Sequence, residues 1–484
     1  MVSHPNYQHQ HLAKLCGLLL GPLSLIATLF IPPPFEGLPQ QAWVTMGLAT
    51  MMAIWWVSEA VPIPVTSFLP MVLSPLLGIA SLKAATASFA HPLIFLFMGG
   101  FMLSLAMERW DLHKRIALVA MLTVGDKPAQ QVGGFMLITA FLSMWMSNTA
   151  TAVMMLPIGL SIIGMMSKQE QQPDFSAALL LGIAYSASIG GVATLIGTPP
   201  NALLAAYLAD SYDIHIGFGE WMLIGLPLSI SMLFITWIWL TRINYRLPNR
   251  SQGNSAEMLR QQLHQLGPMK PPEKVVAVVF TLAACAWILR PLLASYSGLA
   301  ISDTGIAMMA AVSLFVIPVD WRKQVMVMDW DTAKKLPWGV LMLFGGGLSL
   351  AAQIKSSGMA DFIGLSLSAA STYSLIWVIV IVTTAIIFLT EITSNTATAA
   401  GFLPLLGPIA ESMGSNPMIL VVPAALAASC AFMMPVATPP NSIVFASGQL
   451  HIKQMVKAGF MLNLVGIVLI SLFSYYLIEI ILLS

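Results

Sequence analysis

The chain is predicted to be an all-α polytopic membrane protein, an inverted repeat of five spans plus a re-entrant hairpin per half, with one extra N-terminal helix, giving about eleven transmembrane helices. Three observations predict it. Of 484 residues 57% are hydrophobic and only 8% charged, far below the roughly 25% charged residues of a soluble domain. The apolar residues fall into long runs of the length a bilayer requires. Several short motifs occur twice, in one order and nearly one register.

Hydropathy places spans at 15–33, 41–57, 61–80, 89–109, 175–210, 218–241, 275–297, 302–319, 336–357, 417–448 and 455–483. The first run follows a polar N-terminus, ends at Pro32-Pro33-Pro34 and lacks a small-residue cleavage pattern, so it reads as a retained helix and not a signal segment. Stretches 131–166 and 374–411 exceed one crossing of about 20 residues and carry Ser-Asn-Thr near their middles, as a hairpin of two half-helices would. Segments 110–124 and 359–368 precede them as interfacial pieces. With the N-terminus cytoplasmic and both hairpins returning to their own side, all but Lys83, Arg290 and Lys355 of the 21 basic residues lie on the cytoplasmic face, as the positive-inside rule demands. The first hairpin then opens to the cytoplasm and the second to the exterior. The C-terminus is periplasmic or extracellular, and the membrane is the cell inner membrane.

The repeat orders the rest. Phe97, Gly99, Gly100 and Leu103 recur 247 positions on as Phe344, Gly346, Gly347 and Leu350, and Ser147–Ala152 recurs as Ser394–Ala399. Thr198-Pro199-Pro200-Asn201 recurs 240 positions on as Thr438-Pro439-Pro440-Asn441. Residues 1–40 form the N-terminal segment and first helix, 41–241 the first repeat and 275–484 the second; the polar stretch 242–274 is a cytoplasmic linker. An odd number of spans per half inverts the second half, the plan of transporters whose site lies at the midplane between broken helices.

The doubled motifs carry the chemistry. Ser, Asn and Thr cap helix N-termini. At a hairpin tip the arm beginning near Thr149 offers free amides to an anion, while the arm ending near Met146 offers carbonyls to a cation. Thr-Pro-Pro-Asn unwinds a span and restarts it, freeing the carbonyls of Leu195 and Ile196 and of Pro435 and Val436. Free backbone at that depth is tolerated only where it lines a cavity or is covered by protein. No Lys, Arg or His is near either tip in sequence, so the charge of a bound anion calls for cations from solution. This favours sodium over plain exchange. Glu391 lies in the second hairpin arm where its counterpart is Met144; it is read as a structural acid, with a proton or cation site as the other reading. His91 and His451 read as loop or helix-end residues, and Glu59 as a residue of a span end. Cys16, Cys285 and Cys430 have no metal-ligand spacing. A net charge of +1 makes no case for nucleic acid, and no nucleophile–base pair or metal cluster points to an enzyme.

MSNTATAVMMLP at 146–157, IGTPPN at 196–201, TEITSNTATAAGFLP at 390–404 and VATPPNSIVFASG at 436–448 resemble the divalent anion:sodium symporter family, which includes sodium-coupled dicarboxylate, citrate and sulfate carriers. The resemblance covers most of the chain. It implies a homodimer with a scaffold and a mobile transport domain in an elevator mechanism, and two Na+ ions beside the substrate. It implies a first sodium site at Ser143, Ser147, Asn148 and Gly197 and a second at Thr390, Ser394, Asn395 and Ala437. Substrate contacts are implied at Asn148, Thr149, Thr198, Asn395, Thr396 and Thr438. Ser-Asn-Thr at both tips leans toward a C4-dicarboxylate such as succinate, malate or fumarate. The alternatives are a sulfate or citrate symporter, or a proton-coupled carrier or anion exchanger on the same fold.

Overall fold

The computed structural model describes residues 5–167, 173–247, 255–366 and 374–482. The helices used below are α1 (Pro5–Phe30), α2 (Gln40–Ser58), α3 (Pro92–Arg109), α4 (Leu112–Met121), α5 (Pro128–Ser143), α6 (Asn148–Ser167), α7 (Pro173–Val192), α8 (Pro199–Tyr212) and α9 (Phe218–Ile238). After these come α10 (Ser255–Leu266), α11 (Pro271–Ile288), α12 (Asp303–Val316), α13 (Trp338–Ser356), α14 (Met359–Ser366), α15 (Leu375–Thr390), α16 (Asn395–Ser412), α17 (Met418–Ala428), α18 (Pro439–Phe445) and α19 (Ile452–Leu482). A two-stranded antiparallel ribbon, β1 (Pro318–Asp320) with β2 (Val325–Met326), lies between α12 and α13.

Among the described residues, 8 helices are long and apolar enough to cross a membrane, with shorter apolar helices at Ile63–Leu76, Asp303–Val316, Leu375–Thr390 and Met418–Ala428. The helix α1 begins ten residues before the apolar run does, because nothing in the polar N-terminal segment breaks it. Glu59, in the left-handed region at φ 47°, caps the end of α2. The 275–297 span is interrupted at Leu289, after which a short helix restarts at Arg290-Pro291. The linker is less plain than its composition suggests: its described part folds as α10, which packs on α4.

Both 131–166 and 374–411 fold as helix–turn–helix units, α5–α6 and α15–α16, turning at Met144–Ser147 and Glu391–Ser394. The segments before them are the short helices α4 and α14. The order α3 to α9 recurs as α13 to α19, and the two series interlock. Helix α6 packs on α18 and α16 on α8, while α9 packs on α19, its counterpart. Gly99 and Gly346 show the same exchange at atomic scale. A side chain at Gly99 would collide with the backbone of Ala307 in the second half, and one at Gly346 with the backbone of Ser67 in the first. Gly99 and Gly346 are counterparts at the offset of 247, so each half packs the same repeat glycine against the other half.

Both Thr-Pro-Pro-Asn motifs break helices, but the breaks open earlier than the prolines alone require. Helix α7 stops at Val192, just after Gly190-Gly191, and α17 stops at Ala428. Loops 193–198 and 429–438 then lead into α8 and α18, each with proline in its first turn. The carbonyls that need partners are therefore those of Gly191, Val192 and Thr194, and of Ala431 and Met434.

Candidate functional site

Those carbonyls find their partners in the last residue of each motif. The Nδ2 of Asn201 donates to Gly191 O at 3.2 Å, Val192 O at 3.2 Å and Thr194 O at 2.8 Å. The Nδ2 of Asn441 donates to Ala431 O at 3.2 Å and Met434 O at 3.0 Å. One buried amide thus sutures each broken helix, and the suture repeats at the offset of 240. Sequence reasoning gave these asparagines no role, although their duplication was visible.

At the first tip, Ser147 caps α6, its Oγ accepting from Ala150 N at 3.2 Å. Ser143, fully buried at the end of α5, sends its hydroxyl toward two acceptors: Asn148 Oδ1 at 2.7 Å and Ala187 O of α7 at 2.6 Å. The same amide position of Asn148 is 3.0 Å from Ala187 O and 3.3 Å from Gly197 O. Gly197 and Gly191 let this happen, because a Cβ on Gly191 would stand 2.6 Å from Asn148 Oδ1 and one on Gly197 would meet the Gly191 backbone. The second tip repeats the arrangement. Thr390, fully buried at the end of α15, directs its hydroxyl toward Asn395 Oδ1 at 2.8 Å and Ala428 O of α17 at 3.0 Å.

A hydroxyl has one proton to give. At the second tip that single proton faces both an amide oxygen and a carbonyl oxygen, so that cluster holds more acceptors than donors; at the first it does so only with the Asn148 oxygen turned inward. With the Asn148 amide turned to put nitrogen inward, the first cluster becomes self-satisfied. With oxygen inward, Ser143 Oγ, Asn148 Oδ1, Ala187 O and Gly197 O form an all-oxygen set of the kind that binds a hard cation. Among the described residues, no Lys, Arg or His makes a hydrogen bond or ion pair with either constellation.

The structure brings Ser143, Asn148 and Gly197 together, and Thr390 with Asn395. Ala437 occupies the position equivalent to Gly197 in the second loop and is buried. Ser394 stands at the N-cap of α16 without a side-chain cap bond. Thr198 and Thr438 hold extended backbone at the starts of α8 and α18, both buried; Thr438 Oγ1 accepts from Asn441 N at 3.4 Å. Thr149 is exposed in the first turn of α6, whereas its counterpart Thr396 is buried. Ala187 and Ala428 were missed, since any residue supplies a carbonyl and only the fold shows which one arrives. His91 caps α3 through Leu93 N and also faces Asp210, an acid distant in sequence. His451 stands just before α19, with its amide donating to Gln454.

Three comparisons bear on this geometry. The solved structure of Neisseria gonorrhoeae MtrF, described as illuminating a class of antimetabolite efflux pumps, superposes with a TM-score of 0.58 at 13% identity, over 96% of this chain and 94% of that one. The Alcanivorax borkumensis YdaH transporter, described as having an unusual topology, gives 0.55 at 12% identity over 96% and 98%. These likenesses concern the fold. In sequence the chain is 42% identical to the sodium-dependent dicarboxylate transporter SdcS of Staphylococcus saprophyticus, over 97% of this chain and 92% of the relative. It is 41% identical to the protein of that name in Staphylococcus aureus, with the same coverage. The family described as the sodium:sulfate symporter transmembrane region matches residues 12–483, and the chain, a multi-pass membrane protein, belongs to that family of divalent anion:sodium symporters.

Proposed function

We propose that this protein is a secondary active transporter that carries a small dicarboxylate dianion, of the C4 class, together with sodium. The observation that carries the reading is the pair of matching tip constellations, Ser143 with Asn148 and Ala187 O, and Thr390 with Asn395 and Ala428 O; the second holds more acceptors than donors, and the first does so when the Asn148 oxygen faces inward. Two oxygen-rich clusters that, among the described residues, make no hydrogen bond or ion pair with a cationic side chain suit two sodium ions. The ions in turn supply the positive charge that a dianion at the tips needs. The helices α6 and α16 begin at the two tips, and their first-turn amides would favour a carboxylate there. Thr149, Thr198, Thr396 and Thr438 supply neutral hydroxyls around it. The names of the staphylococcal relatives agree with this pairing of ion and substrate.

The reading extends to architecture. The repeats are inverted, the hairpins open to opposite faces, and an elevator motion of the hairpins and broken helices against the remaining helices exposes the site alternately, in a homodimer of the inner membrane. The N-terminus is cytoplasmic and the C-terminus external. The test is uptake of radiolabelled succinate into proteoliposomes with external sodium, and with choline or potassium in its place at constant pH. Uptake is expected only with sodium; equal uptake in all three overturns the reading. Competition by sulfate and citrate in the same assay ranks the other divalent anions, since the family description names sulfate.

A further inference from the structure

Each oxygen cluster is built from two pieces of chain, a hairpin tip and the loop of a broken helix, so something must hold the loop to the tip. In the first repeat it is Thr194, fully buried in loop 193–198, whose hydroxyl donates to Met144 O, the first residue after α5. In the second repeat it is Glu391, the first residue after α15 and 3% exposed. Its Oε1 accepts from Phe432 N at 2.8 Å, Met433 N at 2.9 Å and Asn463 Nδ2 at 2.8 Å, and its Oε2 accepts from Met434 N at 2.9 Å.

The two ties join equivalent positions. Met144 and Glu391 are counterparts at the hairpin offset of 247, and Thr194 and Met434 at the loop offset of 240. Only the roles are exchanged. In the first repeat the loop supplies the side chain and the tip the backbone; in the second the tip supplies the side chain and the loop the backbone. Three successive amides converging on one acidic group form an anion nest. The fourth donor comes from α19, so Glu391 fastens three elements at once. Among the described residues, both oxygens of the carboxylate accept from protein donors, three at Oε1 and one at Oε2.

We infer that Glu391, and Thr194 in the mirrored place, are positioning residues that fix each broken-helix loop against its hairpin tip and so set the geometry of the two cation sites. The inference rests on reading the clusters as sodium sites. Partners one shell out from ion ligands typically change ion affinity by about 10–100-fold when removed.

The test uses the full chain in proteoliposomes with Glu391→Gln, whose amide nitrogen would face backbone donors, and Asn463→Leu, which removes one of the four bonds. Two readouts are taken. Hydrogen exchange over 429–438 reports the tie itself and does not depend on sodium, and the sodium half-saturation of succinate uptake reports its consequence. For Glu391→Gln, faster exchange at 432–434 is expected together with a sodium half-saturation raised by about tenfold or more, with a smaller shift in the same direction for Asn463→Leu. Unchanged exchange with uptake abolished overturns the inference and makes the carboxylate a transport group. Faster exchange with wild-type sodium half-saturation also overturns it, leaving a purely structural bond. If Glu391→Gln fails to accumulate in the membrane, Asn463→Leu decides by the same two readouts. Wild-type uptake indifferent to sodium is a separate failure, of the transport reading, and is seen before any variant is made.

Discussion

Phe97 and Phe344 occupy equivalent positions of the two repeats and touch each other, ring centroids 5.0 Å apart and planes at 76°. The two repeats thus meet at corresponding residues. The glycines beside them, Gly99 and Gly346, then sit against the opposite half, and α9 meets α19 by the same logic. Phe97 and Phe344 thus join the repeats through one buried edge-to-face aromatic pair, a geometry worth about 0.5–1.5 kcal/mol beyond the area it buries.

Phe97→Ala and Phe344→Ala are each expected to destabilise the protein by about 3–5 kcal/mol, the cost of a cavity where a buried ring stood. The double variant should lose less than the two separate losses combined, by about the pair energy. Thermal unfolding in detergent measures all three. Strict additivity would mean that the rings pack independently.

Asn148→Ala and Asn395→Ala are each expected to abolish sodium-driven uptake while expression and assembly stay near wild type, because each removes the amide that closes one oxygen cluster. Ser143→Ala and Thr390→Val take away only the hydroxyl. They should raise the sodium half-saturation by about tenfold each, with little effect on succinate affinity at saturating sodium. Near-normal uptake by either alanine variant at equal expression would remove that tip from the site.

Most of the helical order, the turns of both hairpins and the places of the two breaks were legible in the sequence, because Ser-Asn-Thr and Thr-Pro-Pro-Asn act locally through caps and missing amides. What could not be read there depends on which distant segments meet. Ala187 and Ala428 contribute only carbonyls, for which no residue type is required. The early ends of α7 and α17 arise because Asn201 and Asn441 can hold free carbonyls from ten residues away, so the helices need not continue to the prolines. Glu391 was conspicuous as an acid in an apolar arm, and a structural bond to backbone amides was the favoured reading. Its partners in the loop and on Asn463 required the fold.

Lys127, at the N-cap of α5, and Asp361, in α14, are both exposed. In a chain lacking Cys16, Cys285 and Cys430, a cysteine replacing Lys127 should react with an impermeant thiol reagent only from the cytoplasm, and one replacing Asp361 only from outside. Equal sidedness would refute the inverted arrangement, since the two positions precede equivalent hairpins.

Transport is expected to be electrogenic, moving net positive charge inward with the substrate. A dianion entering against an inside-negative potential meets about 2.3 kcal/mol per charge per 100 mV, so about 4.6 kcal/mol in all. Two sodium ions, one at each proposed site, Ser143–Asn148 and Thr390–Asn395, would cancel that cost, and a third would let the potential assist uptake. The doubled motifs mark two proposed ion sites, and the dependence of uptake on potential counts the ions. Initial rates of succinate uptake are measured under a fixed sodium gradient with the potential clamped by potassium and valinomycin. A rate that rises with an inside-negative potential requires more than two ions. A rate that ignores the potential gives two ions and electroneutral symport. A rate that falls means fewer than two ions move with the dianion, and one of the two tips then has to be withdrawn as a sodium site.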